Sequence, residues 1–235
     1  MVFGLLTAVA ACPAIIGTTE AIRHGQKENN REEHRGRKYN LQVSLLHRSA
    51  YSPYFEKAPI VLKNNKLYVD TRKDIRNDHY FHAAVNYLPF PGKKEVWRKA
   101  GFALGEGLVT LINDERVLNW VYVDSNTHEL KYGIRAEAEP HICGPWDCTK
   151  LERRLTFQLW EGFIVVEEEP DDDLWALYFD CEDDGLTGKD QIGNQNKRML
   201  EVQVLRKEMR RDMADAMHER IERMEQREEL GVTVE

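Results

Sequence analysis

The chain has 235 residues, of which 42% are apolar and 31% charged, with a formal net charge of −7. A chain of this size buries most of the surface its unfolded form exposes, so there is material for one large core. The acidic balance speaks against general nucleic-acid binding, which needs clustered Lys and Arg to displace counterions; the one basic stretch, Arg31, Arg35, Arg37 and Lys38, is interrupted by Glu32 and Glu33.

Residues 2–17 carry no charge and are interrupted by Pro13. A membrane-crossing helix needs about 20 apolar residues, which this run does not supply. No Lys or Arg precedes Arg23, so the basic start of a secretory signal is missing. Two readings remain. One is a short apolar helix, residues 3–11, docked on the body. The other is a segment that meets a partner or a membrane surface through residues 1–22, with Phe3, Leu5, Leu6, Ile15 and Ile16 as contacts and Cys12 as an acylation site. A polar run, Arg23 to Lys38, follows as a linker or solvated helix.

From Leu41 the period changes to two. Leu41, Val43 and Leu45 alternate with Gln42 and Ser44 and predict a half-buried strand. Residues 59–63 and 67–70 flank Asn64-Asn65-Lys66 and predict a hairpin, because Asn tolerates the positive φ of tight turns. Residues 96–102 predict a short helix anchored by Trp97. Strands are predicted at 108–112, 117–123, 130–134 and 174–179, and residues 155–167 as one long strand kinked at Gly162. No G-x-G-x-x-G and no strand–helix alternation points to a nucleotide-binding fold.

Residues 199–205 are open between a last strand and the start of a helix. Val202, Leu205, Met209, Met213, Met217, Ile221 and Met224 recur at spacings of three and four, which predicts an amphipathic C-terminal helix. It either docks on the body or captures a partner, for which flexible Met side chains are suited.

The chemistry-bearing clusters are weak. Asp180, Glu182 and Asp184, followed by Gly185, place alternating acids before a glycine, as at the opening of a calcium loop; position twelve is Gln191 instead of the bidentate Glu such a loop needs. Calcium at Asp180, Glu182 and Asp184 is the alternative to an acidic solvated turn. His141, Cys143 and Cys148 lack the paired C-x₂₋₄-C spacing of structural zinc sites, and the simpler reading of this stretch is a Gly-Pro turn with Trp146 packed inward. No G-x-S-x-G is present. The four cysteines, Cys12, Cys143, Cys148 and Cys181, are scattered and read as reduced intracellular thiols.

Several strings taken together are distinctive: Ile-Gly-Thr-Thr-Glu-Ala (16–21), Arg-Glu-Glu-His-Arg-Gly-Arg-Lys (31–38), Leu-Asn-Trp-Val-Tyr-Val-Asp (118–124), Gly-Pro-Trp-Asp-Cys-Thr (144–149), Trp-Glu-Gly-Phe (160–163) and Trp-Ala-Leu-Tyr-Phe-Asp (175–180). Over nearly its whole length the chain resembles a family of filamentous ascomycete proteins without an assigned function. The resemblance implies a eukaryotic protein and carries no activity, cofactor or site.

These readings combine into an α+β protein. An antiparallel β core, sandwich or open barrel, spans 39–200, with a helical N-terminal extension at 1–38 and an amphipathic helix at 201–235. The expected function is non-enzymatic binding or scaffolding, without a cofactor unless calcium binds the acidic loop; the alternatives are a calcium- or metal-binding protein using residues 180–185 and an enzyme with an unrecognised site. The partner would be a protein or a second copy, engaged through the helical ends. The expected location is intracellular, cytoplasmic, with membrane-surface contact as the alternative.

Overall fold

The computed structural model describes residues 37–72, 80–102, 105–112, 117–149, 151–168, 173–187 and 197–209. Strand β1, Tyr39–Leu45, buries Tyr39, Leu41 and Val43 and leaves Asn40, Gln42 and Ser44 half-buried on its other face, the period-two pattern of a strand resting on a core. The single turn α1, Ser52–Phe55, seats Phe55 edge-on against Trp175 with ring centroids 5.2 Å apart. Strands β2, Ala58–Lys63, and β3, Lys66–Asp70, form the hairpin expected there. Asn64 and Asn65 stand at φ 49° and 61° between them, the two left-handed residues of a turn matched to strand twist.

Next come β4, Phe81–His82, and β5, Ala84–Leu88; then α2, Lys94–Lys99, which buries Trp97; then β6, Gly107–Ile112. Strands β7, Val117–Val123, and β8, Leu130–Gly133, form a second hairpin. The short helix α3, Arg135–Ala138, leads to β9, Trp146–Cys148, and β10, Leu155–Phe157. Strands β11, Phe163–Val166, and β12, Leu174–Phe179, form a third hairpin, and β13, Met199–Glu208, completes the set.

Six strands close a barrel in the order β13, β1, β5, β6, β9, β10. Ladders join β13 to β1, β1 to β5, β5 to β6 and β9 to β10. Single bridges, Glu106↔Trp146 and Arg154↔Leu205, complete the ring. The three hairpins cap one end. Strand β3 pairs with both β12 and β8, and a bridge between Glu129 and Tyr178 closes the triangle. Barrel strand, hairpin, barrel strand thus recurs three times along the chain, over residues 39–88, 107–148 and 155–208. Closure hides most sheet edges, which would otherwise invite pairing with other chains.

Leu41, Val43, Val85, Leu108, Trp146, Phe157 and Val204 belong to the central core. Trp146 sits with its ring centroid 4.6 Å from that of Phe157, which meets Phe179 edge-on at 4.9 Å. A smaller cluster of Phe90, Trp97, Val109, Trp120 and Tyr122 packs outside the barrel.

The described residues are therefore all-β, apart from three short helices, and the α+β class expected from sequence is corrected. The longest described helix has 6 residues. The apparent helical stripe that began at Val202 and Leu205 is overturned where it is described. Strand β13 instead buries Val202, Val204 and Arg206 on one face. It pairs with β1 on one side and β11 on the other, and that double ladder overrides a side-chain spacing also compatible with a helix. Met209 follows β13 and is 43% exposed. The other terminal positions singled out, Phe3, Leu5, Leu6, Ile15 and Ile16, and Met213, Met217, Ile221 and Met224, lie outside the described residues. Among the described residues no helix is long and apolar enough to cross a membrane.

Candidate functional site

At the centre of the cap, cross-strand register sets Lys66 opposite Lys131. Like charges so placed repel, and acids from neighbouring turns answer them. Lys66 Nζ lies 2.5 Å from Glu129 Oε1 and 3.1 Å from Glu168 Oε1. Lys131 Nζ lies 2.9 Å from Glu129 Oε2 and 2.8 Å from Asp124 Oδ2. The Tyr178 hydroxyl donates to Glu168 at 2.7 Å, with Glu129 at 3.2 Å.

Burial alone would raise the Asp124 carboxyl. Hydrogen bonds from Lys131 and from the backbone N–H groups of Asn126 and Thr127 outweigh it and bring the group from 3.8 to about 2. Glu129 is likewise held below its ordinary value, burial being overcome by hydrogen bonds from Lys131 and Lys66. Burial, reinforced by Glu168, pushes the Tyr178 phenol far up. Each acid and base here is matched to a partner, so the cluster pins three hairpins together and leaves no poised proton donor or nucleophile.

The sequence-nominated clusters are separated by the fold. His141 stacks on Tyr122 at 5.0 Å. Its Nδ1 is 3.3 Å from the Ser125 hydroxyl and 3.8 Å from Asp124 Oδ1. A triad uses opposite ring nitrogens for serine and aspartate; here one nitrogen meets both, so no proton relay runs through the ring. The Cys143 thiol donates to the Ala138 carbonyl at 2.9 Å, and burial pushes it up to about 11. Cys148 instead meets Arg206, so His141, Cys143 and Cys148 do not converge. Trp146 is fully buried, as the inward-packed reading of the Gly-Pro turn had it.

Asp180 is 5% exposed and faces its own loop. Its Oδ1 accepts the N–H of Glu182 at 3.3 Å and of Asp184 at 3.2 Å, and its Oδ2 that of Gly185 at 2.8 Å. Glu182 is exposed and Asp184 half-buried. Among the described residues no three His, Cys, Asp or Glu side chains gather in a way that would hold a metal ion.

An exposed aromatic side chain, Trp160, was hidden inside the predicted long strand 155–167. That stretch is two strands, β10 and β11, with a tight turn at the end of β10. Phe157 and Trp160 exchange backbone hydrogen bonds at 2.9 Å. Gln158 and Leu159 stand between them at φ 52° and 64°. Side chains with a Cβ resist this left-handed conformation by about 1–2 kcal/mol per residue. Leu159 is nevertheless 69% exposed and Trp160 43%.

Trp160 is fixed in place. Its indole N–H donates to the Asp180 carbonyl at 3.2 Å, and the Asp180 N–H donates to the Gly162 carbonyl at 2.8 Å. A Cβ on Gly162 would come within 1.8 Å of the indole nitrogen, so only glycine fits beneath the ring. Glu161 pairs with Arg154 at 2.9 Å beside it, and Glu182 and Asp183 are exposed on the Asp180 loop. Sequence reasoning missed this site because Gln158-Leu159 has none of the Asn or Gly that announces such a turn; the Trp160-Glu161-Gly162 string was its only trace.

A family model described as "Fungal beta-trefoil domain" matches residues 17–210. No curated protein and no solved structure matches the chain. The match covers most of the sequence, and the barrel with its three capping hairpins agrees with the trefoil it names: the protein belongs to the fungal beta-trefoil domain family.

Proposed function

We propose that the protein is a non-enzymatic binding module that holds a protein partner at the Leu159–Trp160 turn. One observation carries this reading: two apolar residues are kept in solvent on a turn whose backbone both Gln158 and Leu159 resist. Strain at exposed positions is retained where it serves a function. A rigid, half-exposed Trp is also the side chain most often found at the energetic centre of protein interfaces. The exposed acids Glu182 and Asp183, on the loop whose Asp180 carbonyl fixes Trp160, favour a partner segment that sets Lys or Arg beside an apolar side chain. Apart from Met209, the terminal apolar residues expected to carry such contacts lie outside the described residues, so the reading rests on this turn alone.

The test is an array of synthetic peptides graded in charge and apolar content, probed with the whole chain. Peptides pairing Lys or Arg with Leu or Phe are expected to bind, and Trp160→Ala to weaken them by about tenfold or more, as loss of an anchor does. Equal retention by wild type and Trp160→Ala would remove the turn as the site. Leu159→Gly is expected to raise stability by about 1 kcal/mol through relief of the left-handed strain, while weakening the same peptides.

A further inference from the structure

The end of the barrel opposite the cap holds an arginine in an unusual setting. Arg206 faces inward on β13 and is 6% exposed. Its guanidinium carbon lies 3.9 Å from the Tyr39 ring centroid and 4.6 Å from that of Tyr87. Nη1 donates to the Tyr87 hydroxyl at 3.2 Å and to Cys148 Sγ at 2.8 Å. Nε and Nη2 are buried and have no acceptor among the described residues. Elsewhere in the protein that same pair of nitrogens clasps a carboxylate: Arg72 holds Asp70 in this way, and Arg198 holds Glu167. Among the described residues Arg206 has no carboxylate. Its partners are two aromatic faces, a phenol oxygen and a sulfur.

A guanidinium has donors only, so the Cys148 sulfur must accept. A buried cation without a counter-ion is costly, and its charge falls on the polarisable Cys148 Sγ, 2.8 Å from Nη1. The thiolate is the form of cysteine that attacks electrophiles. Cys148 is half-buried at the last position of β9, whereas Cys143 is buried and gives its proton to a carbonyl. We propose that Cys148, paired with Arg206, is an oxidant-reactive thiol of this protein, converted by hydrogen peroxide to a sulfenic acid. The sulfur attacks one peroxide oxygen, an S–O bond forms and the O–O bond breaks. The leaving hydroxide takes the thiol's proton and departs as water. Sulfur loses two electrons and peroxide gains them. The added oxygen gives the guanidinium a stronger acceptor than a thiol.

The experiment exposes the full chain to limiting hydrogen peroxide with dimedone present and follows each cysteine by peptide mass spectrometry. Cys148 is expected to be trapped faster than exposed Cys181 and at least about tenfold faster than Cys143. Arg206→Gln is expected to slow Cys148 by about tenfold or more and Arg206→Lys to retain most of the rate, because charge and not shape activates the sulfur. Trapping of Cys148 no faster than Cys181, or an unchanged rate in folded Arg206→Gln, overturns the proposal. Should Arg206→Gln fail to fold, the wild-type ranking of Cys148 against Cys181 decides alone.

Discussion

The two ends of the barrel face one problem, a positive charge taken out of water, and answer it oppositely. At the cap, Lys66 and Lys131 share Glu129 and each adds a second acid. At the other end, Arg206 has ring faces and a sulfur and, among the described residues, no carboxylate. The cap is a closed set of charges in which each member depends on the others. The arginine end leaves its charge directed at one polarisable atom. A carboxylate network holds elements together; a cation beside sulfur changes what the sulfur can do.

The largest effect should come from breaking the cap. Glu129→Gln keeps the shape but leaves two ammonium groups short of their common acid. Removing one partner of a buried pair costs about 3–5 kcal/mol. Lys66 and Lys131 keep 24% and 23% of their side-chain surface, so the lower end, about 3 kcal/mol, is expected in denaturant unfolding. A loss below about 1 kcal/mol would mean that the cap pairs behave as surface pairs do.

Acid titration should find the same network more gently. Asp124 falls from 3.8 to about 2 on folding and Glu129 also falls. A depressed carboxylate stabilises the fold above its unfolded value, and that contribution drains away as pH drops through the folded one. Asp124 therefore contributes about 2 kcal/mol at neutral pH, lost between about pH 4 and pH 2. Asp124→Asn should lower the neutral-pH melting temperature and flatten this acid limb; an unchanged slope would show that other carboxylates dominate it.

How much of this was legible follows from how far apart the contributing residues lie. The β2–β3 hairpin was readable because Asn64 and Asn65 announce its turn, and Trp97 and Trp146 because large apolar residues beside polar ones point inward. The threefold closure was not readable: two of the six barrel contacts are single bridges, Glu106↔Trp146 and Arg154↔Leu205, which leave no periodicity. Strand β13 carried a spacing that suits a helix, and only the waiting edges of β1 and β11 decide it. The Leu159–Trp160 turn lacked turn residues. Cys148 and Arg206 stand 58 positions apart, and nothing in either neighbourhood names the other. The metal-like spacings of Asp180, Glu182 and Asp184 were legible as a pattern, yet the fold turns the Asp180 carboxylate onto its own backbone amides.

The smallest effect sharpens the comparison most. Arg206→Met fills similar volume, removes the charge and strands no carboxylate, since none of the described residues pairs one with it. Replacing buried ions by apolar side chains of similar size is often neutral or stabilising. The losses are two ring contacts, each about 0.5–2 kcal/mol, and two hydrogen bonds. The gain is removal of the desolvation cost of a guanidinium whose Nε and Nη2 have no acceptor among the described residues, which offsets losses of that size. Unfolding free energy is therefore expected to change by less than about 1 kcal/mol, against about 3 for Glu129→Gln at the cap. A large loss would mean that the arginine end is held together electrostatically as the cap is, and the contrast between the two ends would fail. A small one, with a slower Cys148, would separate the two uses of buried charge in one barrel: at the cap it fastens the hairpins, and at the far end it acts on a single sulfur.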